Sequence, residues 1–306
     1  MPQTSRTAPT TAAPPTVVTP LVELPVGHWR QLLVKDETKQ VSGAFKYRGI
    51  RHKIAAIAPG TPLVTASTGN HGAGLAIAAS DHGCALHVFV PETTPRVKCL
   101  RMSRQGAVLH LVRGGYDDCA DLAHRHADRH GMSYIHSFDD PEIVAGHQEL
   151  FREVERVTEP PDVVFVPVGG GGLVSAAVEV WGRGPVRIIG VEHATAPAML
   201  TSLAAGRRVT VAPGTGPAEG LMVRRVGAYP FEICAAHGLT VETVSDAEIQ
   251  HALRALYRLA GIRAEYAGAA AVAAALRRGH PGQRALCVVS GGNIDNALWR
   301  GCVDGV

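Results

Sequence analysis

Short apolar runs alternate with amphipathic or small-residue segments along most of the chain. Residues 31–35, 62–66, 85–90, 107–112, 162–168, 186–191 and 285–289 predict strands. Helices are predicted from the stretch 42–49 to about 58, and over 73–82, 94–105, 116–130, 139–156, 173–181, 244–259 and 267–277. Thr93 or Thr94 is the expected N-cap of the third of these. The strands are continuously apolar rather than alternating, and helices separate them. That pattern predicts an α/β protein with mostly parallel open sheets covered by helices on both faces. We expect two lobes, a small one over 61–140 and a large one from 19–60 together with 141–306. Residues 1–18, rich in Thr, Pro and Ala, read as a disordered tail. The Pro- and Gly-rich stretch 197–230 predicts no regular element.

Composition narrows the field. The chain has 306 residues, 46% hydrophobic and 19% charged, which is enough apolar material for a large core. A net charge of +3, with the charges interspersed, points away from nucleic acid and from anionic membrane. No 18-residue apolar run or signal-peptide core is present. Six scattered cysteines without a CxxC pair fit reduced thiols in an intracellular, cytoplasmic protein.

Three glycine-containing loops each follow a predicted strand: 67–72, 169–172 and 290–293. Ligands of open α/β sheets bind beyond the carboxyl ends of strands, so three such loops point to one crevice. Gly169, Gly170, Gly171 and Gly172 let the backbone approach an anion at a helix N-terminus. The run lacks the Gly-Lys-Ser/Thr of a P-loop and the third glycine of a dinucleotide fingerprint, so the phosphate belongs to something smaller. Ser67, Thr68 and the amides up to Gly72 form either a carboxylate nest or an ordinary helix cap. Lys46 sits in the first turn of a basic helix that also carries Arg48, Arg51, His52 and Lys53. Taken alone, it reads as a surface lysine. The macrodipole and partial burial would nevertheless both lower its pKa. His124, His126, Asp128 and His130 lie along one predicted helix and read as a solvated face, since no HExxH spacing is present.

Taken together, Ser42-Gly-Ala-Phe-Lys-Tyr-Arg-Gly49, Ser67-Thr-Gly-Asn-His-Gly72, the four glycines and Ser290-Gly-Gly-Asn293 resemble the pyridoxal-phosphate enzymes of the tryptophan-synthase-β fold type. The nearest branch is that of the serine/threonine dehydratases and serine racemases. Pro91-Glu-Thr-Thr-Pro95, Phe138-Asp-Asp-Pro141, Gly190-Val-Glu192 and Gly268-Ala-Ala-Ala271 extend the likeness from about Thr19 to Asn296. The resemblance implies that Lys46 joins the cofactor covalently and later moves the Cα proton. It places Phe45, Asn70, Gly169 to Gly172, Leu173 and Ser290 around pyridoxal 5′-phosphate. It places Ser67, Thr68, Gly69 and His71 around the substrate carboxylate. A neutral serine at the pyridine nitrogen makes a weaker electron sink than an aspartate would, which favours prompt loss of a β-leaving group.

The implied activity is an ammonia-lyase reaction on a β-hydroxy amino acid such as serine or threonine, in a homodimer. A racemase using Lys46 and Thr68, and a β-replacement synthase, remain alternatives. Metal-activated relatives use a glutamate and a following aspartate. Here Glu192 is followed by Ala198 at that position, so no metal is expected. Tyr266 stands where the family has proline, a position near the cofactor in that fold.

Overall fold

The computed structural model describes residues 15–303; the rest of the expected N-terminal tail, 1–14, lies outside them. The chain opens with an antiparallel pair, β1 (Leu21–Leu24) and β2 (Trp29–Asp36), and then forms α1 (Lys46–Ala55). A compact series follows: β3 (Leu63–Ala66), α2 (Asn70–Asp81), β4 (Leu86–Pro91), α3 (Arg96–Ser103), β5 (Val108–Val112), α4 (Tyr116–His130) and β6 (Ser133–Tyr134). Its strands form a parallel four-stranded sheet in the order β5-β4-β3-β6.

Beyond it come α5 (Pro141–Val157), β7 (Val163–Pro167), α6 (Gly172–Trp181), β8 (Arg187–His193), α7 (Ala198–Ala204) and α8 (Ala228–His237). The chain continues through β9 (Thr240–Val244), α9 (Asp246–Ala260), α10 (Tyr266–Arg277), β10 (His280–Val289) and α11 (Asn296–Val303). Here the sheet has six strands in the order β1-β2-β10-β7-β8-β9, parallel except for β1.

The unbroken apolar runs have a simple cause. Val163 and Phe165 of β7 pack with the alanine-rich α10 on one face of the large sheet. Val164 and Val166 pack with α5 and α6 on the other. A strand covered twice has no solvent side on which to place polar residues.

Some boundaries differ from expectation. The helix expected to begin at Thr93 or Thr94 starts at Arg96 behind Pro95, without a side-chain cap. The residue before a proline avoids helical geometry, and the Thr94 amide instead closes a turn onto the Pro91 carbonyl at 2.9 Å. Val244, expected as the first residue of a helix, ends β9; α9 begins after Ser245, which forms a capping box with Glu248. The stretch 197–230 contains α7 and the start of α8.

Candidate active site

The carboxyl ends of β3, β7 and β10 deliver the three glycine loops, and α1 lies among them. Phe45 donates its amide to the Ser290 carbonyl at 2.9 Å, and Ala44 forms a bridge with Gly291. These bonds fix the entry to α1 and place Lys46 at its first position. Lys46 Nζ donates to the Ser137 carbonyl at 2.6 Å and lies 5.1 Å and 5.9 Å from the ring centres of Phe45 and Phe138. Burial pushes its amine down to about 8, so about a tenth of it is neutral and nucleophilic at pH 7, far more than for an exposed lysine.

The neighbouring histidines add no positive charge. Burial first, and then the Lys46 charge, push His71 down to about 3. His136 falls to about 4, chiefly through burial, and accepts the amides of Phe138 and Asp139 on Nδ1. His147 is held well below its usual value, again first by burial and then by Lys46. Its Nδ1 accepts the Gly49 amide at 3.2 Å, and its ring packs 4.8 Å from that of Phe45. Two buried nitrogens in this group, His71 Nδ1 and His147 Nε2, have no hydrogen-bond partner among the described residues. Buried orphans of this kind mark a place where a polar ligand fits.

The turn at 169–172 is built without room for side chains. A Cβ at Gly169 would lie 2.3 Å from the Gly220 carbonyl oxygen, and one at Gly170 would lie 2.2 Å from the Phe138 ring. Gly171 has φ +98°, which L-residues avoid. Gly172 and Leu173 open the ten-residue α6, whose first turn has no acidic residue and whose first amides lack intrahelical acceptors. This backbone suits a phosphate. Phe138 ties the cradle to Lys46, because its ring lies against Gly170 and near the Lys46 amine.

At the third loop, Ser290 is buried. Asn293 donates to the Ser42 carbonyl at 2.9 Å and to Asn70 Oδ1 at 2.7 Å. Asn70 in turn donates to Glu265 Oε1 at 2.5 Å. Burial raises the Glu265 carboxyl to about 7, against the opposing Asn70 hydrogen bond. A carboxyl raised in the fold binds protons that the unfolded chain has released. Stability at this site therefore falls as pH rises from about 4.5 to about 7 and is level above that. Glu265→Gln keeps the acceptor for Asn70 and is expected to remove this fall, with a thermal midpoint at pH 8 at or above the parent's in a melting series across pH.

Ser67 Oγ accepts the amides of Gly72 at 2.8 Å and Gly69 at 3.3 Å. The hydroxyl thus caps the start of α2, and Asn70 and His71 occupy that helix's first turn rather than a preceding loop. Thr68 and Gly69, between Ser67 and α2, are half-buried. Arg48, read from the sequence as part of a basic helix face, points inward instead and is fully buried between Glu37 and Glu153. Tyr266 turns away from the crevice: its hydroxyl lies 2.6 Å from Cys302 Sγ within the apolar cluster of α9, α10 and α11. Both oxygens of Glu192 accept amides at the start of α7, from Met199 at 2.7 Å and Leu200 at 2.9 Å.

The structure thus joins Phe45, Lys46, Asn70, Ser290 and the glycine turn through direct or shared neighbours. Ser137, His136, His147, Glu265 and Asn293 belong to the same group and were not singled out as site residues. Asn293 stands inside the quoted motif at 290–293, and Glu265 directly precedes the departing Tyr266. Ser137, His136 and His147 carried no signal beyond their residue types.

Comparison with known proteins agrees with this geometry. Residues 13–291 match the family described as pyridoxal-phosphate dependent enzyme. The L-threonine ammonia-lyase of Thermotoga maritima is 34% identical over 271 residues, covering 87% of this chain and 68% of that protein. That of Geobacter sulfurreducens is 37% identical over 272 residues, covering 85% and 67%. Among solved structures, a T.th. threonine deaminase superposes with a TM-score of 0.86 at 31% identity, over 93% of this chain and 96% of that one. Maize serine racemase gives 0.85 at 27%, over 95% and 93%. The family match over residues 13–291 and the relatives at 34% and 37% identity, together with a buried lysine beside a side-chain-free glycine turn, place the chain in the pyridoxal-phosphate dependent enzyme family of the tryptophan-synthase-β fold type.

Proposed function

We propose that the chain is an ammonia-lyase that converts a β-hydroxy amino acid, threonine or serine, to a 2-oxo acid and ammonia. The observation that carries this reading is Lys46. Its amine is held by the Ser137 carbonyl and depressed by burial, next to an anion cradle and a neutral Ser290. Phe45, Lys46, Asn70, Gly169 to Gly172, Leu173 and Ser290 would hold pyridoxal 5′-phosphate. Ser67, Thr68, Gly69 and His71 would meet the substrate carboxylate. When bound, the cofactor supplies an electron sink for the pair left at Cα.

The chain's own residues do the rest. Lys46 anchors the cofactor and, once released, accepts the Cα proton. The neutral histidines around it leave that amine as the local base. Buried Ser290 offers a hydroxyl rather than a negative charge at its end of the crevice, which favours early departure of the β-oxygen. In balance, the Cα–H and Cβ–O bonds break, water leaves, and hydrolysis of the resulting enamine gives the 2-oxo acid and ammonia.

The test is to incubate cofactor-loaded enzyme with a panel of amino acids and to follow ammonia and product mass together. Release of ammonia and the 2-oxo acid in equal amounts from threonine or serine is the expected result. No ammonia from any β-hydroxy amino acid sinks the reading. A product that requires an added nucleophile would instead identify a β-replacement synthase.

A racemase is the second reading, favoured by Thr68 and by the likeness to maize serine racemase. It requires a proton donor on the face opposite Lys46, and the Thr68 hydroxyl is the candidate. Solvent deuterium at Cα with loss of chirality, abolished in Thr68→Ala, would establish it.

The glycine turn gives a sharper expectation. Gly170→Ala places a methyl group against the Phe138 ring, an overpacking that costs about 1–3 kcal/mol. The free protein relieves that clash by moving the turn out of its present geometry, so the cost returns on cofactor binding, and affinity should drop by about 10- to 100-fold, each 1.4 kcal/mol being a factor of ten. Equilibrium dialysis of the cofactor reads this directly, and adding Phe138→Ala should recover part of the loss.

We further propose that the four-stranded sheet, 61–140, is the small domain and that 19–60 with 141–306 form the large one. We also propose that the protein works in the cytoplasm as a homodimer. No helix among the described residues is long and apolar enough to cross a membrane. Sedimentation at micromolar concentration tests the dimer.

A further inference from the structure

Three histidine rings meet on the smaller sheet, away from Lys46. Val64, Phe89 and Val112 on one face of that sheet pack against α4. Leu63, Val88 and Val90 on the opposite face pack with Tyr47 and Ile50 of α1. His87 shares the α4 face with Phe89, because alternate strand residues point the same way. In the β4–β5 register His87 pairs with Val108 and Phe89 with His110, so His110 is the diagonal neighbour of His87 on that face. His126 comes from α4, which covers the sheet there.

The nitrogens converge. His110 Nε2 and His126 Nε2 lie 3.0 and 3.1 Å from His87 Nδ1. The three lie within 4.8 Å of one another. A single imidazole nitrogen has one in-plane lone pair, yet two rings point at this one. Among the described residues these three nitrogens have no carboxylate or backbone carbonyl as partner. A tetrahedral ion with metal–nitrogen bonds of about 2.0–2.1 Å needs its ligands about 3.3 Å apart, a few tenths more than the two short separations here. The rings are also braced. Phe89 stacks on His110 at 4.4 Å and 9°, and His130 packs on His126 at 4.3 Å. All three ligands are half-buried, so an ion has an entry path and a fourth position open to water.

We propose that His87, His110 and His126 form a binding site for one zinc-class divalent cation, which clamps β4, β5 and α4 together. Three imidazoles suit zinc, nickel, copper or cobalt rather than magnesium or calcium, which prefer oxygen ligands. The site departs from the sequence expectation, which left His126 on a solvated helix face with His124 and His130. The structure separates His124 from His126: His124 stacks on Tyr134 at 3.7 Å, and His126 turns to the sheet with His130 packed on it. No short spacing motif announces a site whose ligands come from two strands and a helix.

The test uses untagged, cofactor-loaded protein, cleared of metal and titrated with zinc chloride against a chromophoric chelator. One equivalent is expected to bind with a dissociation constant of about 1 µM or tighter. The cobalt derivative should show the visible spectrum of a tetrahedral centre. His110→Gln and His126→Gln should each weaken binding by about 100-fold or more, beyond the loss seen when only an outer partner of a ligand is changed. His124→Gln should leave it unchanged. Zinc should raise the melting temperature of the parent and of His124→Gln, but not of His126→Gln. Circular dichroism and cofactor content check that the variants are folded. Absence of binding at about 100 µM zinc, or equal affinity in His126→Gln and the parent, overturns the proposal.

Discussion

Lys46→Ala protein is expected to fold, to melt within a few degrees of the parent, and to lose turnover by at least about 10⁴-fold, since it lacks the amine proposed as both covalent anchor and proton-transfer group. Structurally the change is mild. Among the described residues the Lys46 side chain hydrogen-bonds the Ser137 carbonyl, and its cation is disfavoured by burial. Entry to α1 is set by the backbone bonds of Ala44 and Phe45 to the 290–291 loop, which the substitution leaves alone. Ammonia release and the absorption of the lysine-linked cofactor should disappear together. If turnover persists, the assignment of Lys46 fails; if the fold is lost as well, the claim that its role is chemical rather than structural fails.

The largest effect on stability is expected two residues later. Arg48 Nε and Nη2 bond Glu37 at 2.7 and 2.9 Å, and Nη1 and Nη2 bond Glu153 at 2.7 and 2.9 Å. Lys35 Nζ completes the set, 2.6 Å from Glu153 and 2.7 Å from the Thr19 carbonyl. Two cations and two carboxylates cancel in a group with almost no solvent contact. Arg48→Met leaves two buried carboxylates facing one lysine, and loss of one partner of a buried pair costs about 3–5 kcal/mol. Urea unfolding should show that loss, with a lower midpoint at unchanged slope. Burial alone would raise the Glu153 pKa, but the hydrogen bonds from Arg48 and Lys35 outweigh it and lower it. A carboxyl depressed in the fold contributes stability that is present above its unfolded pKa and lost as pH falls through the folded one. Acid should therefore weaken the parent more steeply than Arg48→Met.

Arg48 also shows where reading the sequence stops. Beside Arg51, His52 and Lys53 it looked like one more charge on a basic face, because its acceptors lie 11 and 105 residues away. The same limit hid the site's inner partners. Asn70 was legible from its motif, but its bond to Glu265 spans 195 residues. His147 gave no local sign of packing on Phe45. By contrast, the glycine turn and the apolar runs β7 and β10 announce themselves, since doubly covered strands and side-chain-free turns restrict composition locally. The edge strand β9 is not predicted, because Thr240–Val244 is short and half-exposed, and the expected helix takes in only its last residue, Val244. The metal-binding histidines proposed here are invisible for the same reason as Arg48: sheet register, rather than chain spacing, brings them together.

The position of β10 has a consequence for how the enzyme comes into being. It lies between β2 and β7, so residues 285–287 pair with both 32–34 and 163–165. During synthesis, Phe45 and Lys46 emerge roughly 240 residues before the Ser290 carbonyl that fixes them. The four-stranded sheet can close early, because its strands lie within one stretch of chain. The catalytic crevice cannot, and contacts so distant in sequence make for slow folding. A ribosome-bound chain that ends before β10 should therefore protect the four-stranded sheet from protease while failing to retain cofactor, with both appearing together only once the last strand is in place.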